Sequence, residues 1–259
     1  SIQRTWGGEE TSRLAAALQA FTGNTGRTGG TSGGKCWGSL PVPECAMIPV
    51  RDTAAALRFP VYPWADWILE GRSGGYPSDI RGIYNVGGNY CIQGSNIIKN
   101  LRAFCSAEFA VCHELFLTAS ARYCDVVFPV SSFLERNDVV MNGTNYLFFS
   151  GRAARPRGEV KDDYAVLALI AGRLGIEREF TEGKTADEWV DWCIQNSEID
   201  NPQEFRRTGI YDGKSHLRTA FSDFRRDPDE RPLGTASGKI ELCSRRYQEE
   251  TGFPAVPVH

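Results

Sequence analysis

The run from Ile80 to Pro129 constrains this chain most. Ile80-Arg81-Gly82-Ile83-Tyr84-Asn85-Val86 reads as a strand, closed by the turn Gly87-Gly88-Asn89. Asn96 to Phe104 then carries Ile97, Ile98, Leu101 and Phe104 at helical spacing, with Ser95 as the expected cap. Phe109-Ala110-Val111-Cys112 is short and continuously apolar, the pattern of a strand buried in a parallel sheet. A short helix over Leu117 to Tyr123 leads to a third strand, Asp125-Val126-Val127-Phe128-Pro129. Strand, helix, strand, short helix, strand is a βαβαβ unit, whose strands run parallel with right-handed crossovers. The expected fold is α/β: a Rossmann-like three-layer domain with a mostly parallel sheet and long irregular loops.

The flanks add less regular pieces. Glu9 to Thr22 is Ala/Leu-rich, opens with two acids and stops at Gly23, so it reads as a buried helix. Gly23 to Gly34 is so rich in glycine that its bare amides can approach an anion, but the same composition suits a flexible surface loop. It is not a P-loop, because no G-K-[ST] follows. Residues 39–78 are rich in proline and aromatics, with one short helix expected around Trp64 to Leu69. Further on come an irregular hairpin about Asn142-Gly143, a helix from Asp162 to Leu174 ended by Gly175, and a capping box at Thr185 to Glu188 opening a helix through Ile194. A strand is expected at Gly238 to Cys243, followed by a short helical tail with Tyr247. The expected organisation is one α/β domain over 1–245, with 35–78 as a long irregular segment and 246–259 as a tail.

Composition excludes several function classes. Of 259 residues, 41% are hydrophobic and 24% charged, which fits a globular rather than a disordered chain. The formal net charge of -3 offers no basic excess to neutralise phosphates, so nucleic acid is not an expected partner. No apolar run approaches the ~20 residues that span a bilayer. The 8 cysteines form no C-x-x-C pair and only 3 histidines accompany them, a poor basis for a zinc or iron–sulfur site. Cys112 and Cys124 sit in apolar runs and read as small buried hydrophobes. A disulfide framework is not expected in a chain this long. Ser1 to Gly8 contains neither an initiator Met nor a signal peptide, and the chain reads as a piece of something longer.

In an open parallel sheet, ligands bind at the carboxyl ends of the strands. The first such loop here is Gly87-Gly88-Asn89-Tyr90-Cys91-Ile92-Gln93. Its glycines admit a phosphate or sugar near the main chain, and Asn89 and Gln93 carry amides able to donate and accept hydrogen bonds. The second is His113-Glu114, where a carboxylate matches the vicinal diol of a ribose. Thr118 adds a hydroxyl. Asp125 begins a strand rather than ending one and reads as structural. No G-x-G-x-x-G follows any of these strands, so a nucleotide site and a plain tight turn both remain open from spacing alone.

Several of these stretches carry a family resemblance. Ile83-Tyr84-Asn85-Val86-Gly87-Gly88-Asn89, Glu108-Phe109-Ala110-Val111, and Glu114 to Pro129 with Glu135-Arg136 resemble the molybdopterin oxidoreductase family. Thr22-Gly23-Asn24-Thr25-Gly26, Leu174 to Trp189, and Ser237-Gly238-Lys239-Ile240-Glu241 match it too, most closely its anaerobic dimethyl sulfoxide reductase type. The resemblance implies an internal or C-terminal-half fragment of a molybdenum-dependent catalytic subunit. In the parent, a bis(molybdopterin guanine dinucleotide)-molybdenum cofactor would transfer an oxygen atom to or from a substrate such as an S-oxide.

The resemblance also assigns residues. Gly87, Gly88, Asn89 and Gln93 would face the guanosine diphosphate portion of one dinucleotide. Glu114 would take a ribose or guanine contact, and His113 beside it is counted among the cofactor-binding residues, at a place where the family more often has an amide or an acid. Thr118 matches a hydroxyl near the phosphates. Asp163 matches an acid reaching the guanine edge, although on position alone it is a helix N-terminal acid complementing the dipole. Ser32 and Gly33 would line the pterin side.

No residue here matches a catalytic or metal-ligating position, so the isolated fragment is expected to be inactive and to lack the cofactor. The partners implied are the rest of the catalytic subunit (an N-terminal metal-ligand region and a C-terminal barrel), an iron–sulfur electron-transfer subunit and a membrane anchor subunit. The implied location is bacterial, in the periplasm or on the outer face of the membrane. Two other readings stay open at this point: a non-catalytic guanine-nucleotide-binding α/β module, and an interaction domain presenting the Trp/Pro segment at 41–77.

Overall fold

The computed structural model describes residues 7–30, 42–50, 61–94, 96–141, 143–214 and 219–258. Ser32 and Gly33, Ser95 and Asn142 therefore lie outside the described residues. The chain falls into two compact units. One gathers residues within Ser1–Val42, Gly143–Asn145 and Gly213–His259; the other is Pro43–Asn142 with Tyr146–Asp212.

The first unit is built on α1 (Glu9–Phe21). Arg13 donates to Glu10 at 2.6 Å and its guanidinium lies 4.2 Å from the centre of the Tyr247 ring, which holds the C-terminal segment against the helix. The expected helix is present, but it is not buried: Leu18 and Phe21 are 64% and 77% exposed, and Glu10 is its only buried residue among those described. Apolar composition sets the helix; burial needs a partner face, which the described residues do not provide.

Among the described residues, the first helix of the second unit is α2 (Trp64–Glu70). Next come β1 (Gly82–Val86), the single turn α3 (Tyr90–Gln93), α4 (Ile97–Ser106), β2 (Phe109–Glu114) and β3 (Val126–Pro129). These three strands form a parallel sheet in the order β1-β2-β3, as the sequence pattern predicts. Ala110 to His113 are all buried in the central strand, which explains its unbroken apolar character. Cys91, Phe104 and Ala110 form a core beneath the sheet, with Trp64, Ile83 and Leu101 packed around it. Lys99 on α4 donates to Asp66 on α2 at 2.6 Å and ties the two helices together.

Two local expectations change here. The α4 cap is Asn96, not Ser95: Asn96 takes φ 59°, a left-handed value that asparagine tolerates, and its side chain accepts from the Lys99 amide. The helix expected over Leu117 to Tyr123 shrinks to a 3-10 turn at Ala121–Tyr123: the Thr118 hydroxyl accepts from the Ala121 amide as a cap does, so the turn begins only after Thr118.

A second, antiparallel sheet is made by β4 (Asp138–Met141), β5 (Tyr146–Ser150) and β6 (Ile210–Asp212). Around it stand α5 (Asp163–Arg173), α6 (Glu177–Thr181), α7 (Ala186–Gln195) and α8 (Pro202–Thr208). Leu147, Ile194, Ile199 and Phe205 are its core. Each of these side chains contributes about 1.5–3 kcal/mol by leaving water. The predicted hairpin, the α5 helix with Gly175 at φ 75°, and the capping box at Thr185 are all present.

The chain ends with α9 (Ser222–Arg226) and α10 (Arg245–Thr251), both in the first unit. The strand expected at 238–243 does not form. Gly238, at φ 70°, closes a turn in which Leu233 donates to the Gly238 carbonyl and the Thr235 hydroxyl donates to that of Lys239. Those bonds use groups that a strand would need for its ladder.

Candidate functional site

The carboxyl ends of the parallel strands meet at one edge. The Gly87 amide donates to the His113 carbonyl at 3.2 Å, extending the β1–β2 ladder past Val86. The Val130 amide donates to the Glu114 carbonyl, and the Ser131 amide donates to the Lys161 carbonyl at 2.9 Å. This last link, with the parallel bridge Val130–Lys161, brings the N-terminus of α5 beside the strand ends. Gly87-Gly88-Asn89, His113-Glu114 and Asp163 thus share a rim although far apart in sequence.

The glycine turn is shaped by its neighbours. Gly87 has φ 64°, and a Cβ there would meet nothing within 4 Å, so the main chain faces open space. At Gly88 a Cβ would lie 2.3 Å from the Tyr90 ring and 2.8 Å from Asn85 Oδ1. Buried Asn85 donates through Nδ2 to the Gly88 carbonyl at 2.5 Å and locks the turn. The main-chain N–H groups of Gly88 and Asn89 form no hydrogen bond among the described residues. Asn89 Oδ1 accepts from Ser120 Oγ at 2.8 Å and from the Ser120 amide at 3.1 Å. Its carbonyl is therefore committed to the protein, which leaves its NH₂ as the group available to a ligand. Gln93, at the end of α3, is exposed.

Glu114 and Thr118 form a second polar pair on this rim. Glu114 Oε1 accepts from the Leu115 amide at 2.9 Å, and Oε2 accepts from the Thr118 hydroxyl at 3.4 Å. Each oxygen keeps lone pairs for further donors, such as the hydroxyls of a sugar.

His113 behaves differently. It is 0% exposed, and both ring nitrogens are engaged. Nδ1 lies 2.9 Å from Asp163 Oδ1, and Nε2 lies 2.7 Å from the Tyr84 hydroxyl. The ring also packs edge-on against Phe128. Burial, and then the negative charge of Asp163, push the Tyr84 phenol above its ordinary range, so it stays protonated at neutral pH. Asp163 does more than complement the α5 dipole, since Asp162 is the cap and accepts from the Ala165 amide at 2.7 Å.

Asp163 also lines a cavity of about 1060 Å³, together with Arg136, Arg152, Lys161, Tyr164 and Lys184 among others. None of the other expected site residues lines it. Among the described residues no group of three or more His, Cys, Asp or Glu is placed to hold a metal ion. The described cysteines are free thiols. Burial, and then neighbouring Cys112, push Cys124 up to about 12, so it remains a protonated thiol, consistent with a core role.

The profile of the molybdopterin oxidoreductase family matches residues 1–173. This chain belongs to the molybdopterin oxidoreductase family. Dimethyl sulfoxide reductase DmsA of Escherichia coli is 32% identical over 94% of this chain and 33% of that protein. The dimethyl sulfoxide/trimethylamine N-oxide reductase of Rhodobacter capsulatus is 27% identical over 100% of the chain and 36% of its own length. The chain therefore spans about a third of the length of these curated relatives. The solved structure of acetylene hydratase from Pelobacter acetylenicus superimposes with a TM-score of 0.57, covering 75% of this chain and 26% of that one at 24% identity, which shows a shared fold.

In this molybdopterin oxidoreductase chain, four residues that organise the rim escape a reading of the sequence: Tyr84, Asn85, Asn100 and Ser120. Asn100 donates to the carbonyls of Tyr90 and Cys91, holding α3 in place. Polar residues inside apolar patterns were the available signal, at Asn85 within β1 and Asn100 within α4; Ser120 had none.

Proposed function

We propose that the chain is part of a dimethyl sulfoxide reductase-like oxidoreductase and that its rim holds the guanosine portion of one molybdopterin guanine dinucleotide. The observation that carries this reading is the convergence of Gly87-Gly88-Asn89, Glu114 with Thr118, and Asp163 at one sheet edge. The donor set fits such a group. Two successive main-chain N–H groups that form no hydrogen bond among the described residues suit phosphate oxygens, and the Glu114 carboxylate suits a ribose diol. The open space at Gly87 lets a ligand reach the main chain.

When bound, the bis(molybdopterin guanine dinucleotide)-molybdenum cofactor supplies oxygen-atom transfer to or from an S-oxide. The residues described here bind and orient its nucleotide tail. The chain alone is proposed to be catalytically silent. It would work with the remainder of its catalytic subunit, an iron–sulfur electron-transfer subunit and a membrane anchor, in the periplasm or on the outer membrane face.

The test is Glu114→Ala in the full-length parent protein, with molybdenum and guanosine nucleotide measured per protein. Both should fall together. Normal contents of both with lost turnover would overturn this role for Glu114.

A further inference from the structure

His113 is a buried titratable group that the nucleotide reading does not use. Its ring has no exposed surface, so it cannot touch a ligand directly. It bridges Tyr84 on β1 to Asp163 at the start of α5, residues that no local pattern connects. Asp163 is the expected site residue that lines the 1060 Å³ cavity.

The chemistry of the three groups fixes the direction of the bonds. A carboxylate only accepts, so the proton between His113 and Asp163 sits on Nδ1. The Tyr84 phenol is held protonated and can donate to Nε2. The chain of bonds then runs Tyr84 O–H to His113 Nε2, and His113 Nδ1–H to Asp163 Oδ1. Asp163 Oδ2 takes no bond among the described residues, and Oδ1 retains a lone pair. The Asp163 side chain is 38% exposed, and its side-chain hydrogen bond among the described residues is the one to His113 Nδ1.

We infer that His113 is a positioning residue: its Nδ1–H fixes the Asp163 carboxylate for hydrogen-bond donors of the guanosine group, and Tyr84 fixes the ring. This rests on the nucleotide reading of the rim. It adds a role for a histidine that makes no ligand contact, and it predicts which substitute at this position works. Asparagine places an amide NH₂ near the position of Nδ1, whereas glutamine places one near Nε2.

The experiment measures guanosine nucleotide per protein in the full-length parent carrying His113→Asn, His113→Gln or Asp163→Asn, with thermal unfolding followed for each. His113→Asn should keep wild-type content, while His113→Gln and Asp163→Asn should fall about tenfold, the equivalent of one charge-assisted hydrogen bond. If Asp163→Asn falls but His113→Gln does not, the positioning role is overturned and the nucleotide reading stands. If both His113 variants fall alike, the residue serves packing only, and the inference is again overturned. If Asp163→Asn has no effect, the assignment of Asp163 to the nucleotide fails, and this inference with it. A second measurement needs no variant: the imidazole ¹⁵N signals of His113 should show a protonated Nδ1, and a bare Nδ1 would contradict the relay.

Discussion

Ser120 and Asn89 are joined by two hydrogen bonds, from the Ser120 hydroxyl and amide to Asn89 Oδ1, across 31 residues of sequence. The same hydroxyl accepts from the Cys91 amide at 3.0 Å. One buried serine therefore fastens the loop after β1 to the loop after β2, and the rim depends on it. Ser120→Ala strands the buried Cys91 N–H and removes one of the two bonds to Asn89 Oδ1, the one from the residue-120 amide remaining, at a cost of about 1–3 kcal/mol. Urea unfolding of the protein should show the midpoint lowered accordingly. An unchanged midpoint would mean that the fastening contributes nothing.

The two rim glycines should respond differently to alanine. Gly87→Ala meets open space but carries a left-handed φ, costing about 1–2 kcal/mol. Gly88→Ala drives a methyl into the Tyr90 ring and the Asn85 amide, and Asn85 is buried and bonded to the same turn. It should be the more destabilising substitution, and the larger loss of guanosine nucleotide should go with it. Equal midpoints in thermal unfolding would contradict this ordering.

The α7 cap gives an acid-side prediction. Thr185 donates through its amide and hydroxyl to Glu188 Oε2, at 2.7 and 2.9 Å, and its hydroxyl accepts from the Glu188 amide. The Thr185 amide, then its hydroxyl, hold the Glu188 carboxyl below its ordinary range. A depressed folded pKa gives stability that is present above the unfolded pKa and lost as pH falls through the folded one. Glu188→Gln should flatten that acid-side decline in pH-dependent unfolding. Thr185→Ala should cost about 0.5–2 kcal/mol at neutral pH.

Tyr247 gives the opposite limb. Burial, and then hydrogen bonds to Glu9 and Glu10, push its phenol from 10.0 up to about 12. A raised folded pKa gives stability that is complete below pH 10.0 and lost as pH rises towards 12. The contact between α10 and α1 should loosen over that window, read by tyrosine absorbance against circular dichroism. Tyr247→Phe should remove the alkaline step, and an unchanged step in that variant would contradict the assignment.

How much of this was legible in the sequence follows from what is local and what is not. The parallel strands, α5 with its terminal Gly175 and the Thr185 capping box rest on patterns within a dozen or so residues, and all are present. β6 escaped because Ile210-Tyr211-Asp212 is too short to show alternation and exists by pairing with β5. The strand expected at 238–243 failed because Gly238 takes a turn conformation. The cap shifted from Ser95 to Asn96 because two cap formers stood side by side and only one tolerates φ 59°. At the rim, Glu114 and the two glycines could be picked by their place after strands. The partnership of His113 with Asp163 could not, since 50 residues separate them and only the tertiary fold brings them together.

The central claim is that this sheet edge grips a guanosine tail, and the most direct measurement is a structure of the cofactor-loaded parent protein. The account predicts ribose or guanine atoms within about 3.2 Å of the Glu114 carboxylate, with phosphate oxygens beside the Gly88 and Asn89 amides. A loaded enzyme whose dinucleotide passes elsewhere, leaving Glu114 and Asp163 in contact with solvent or protein alone, would contradict it.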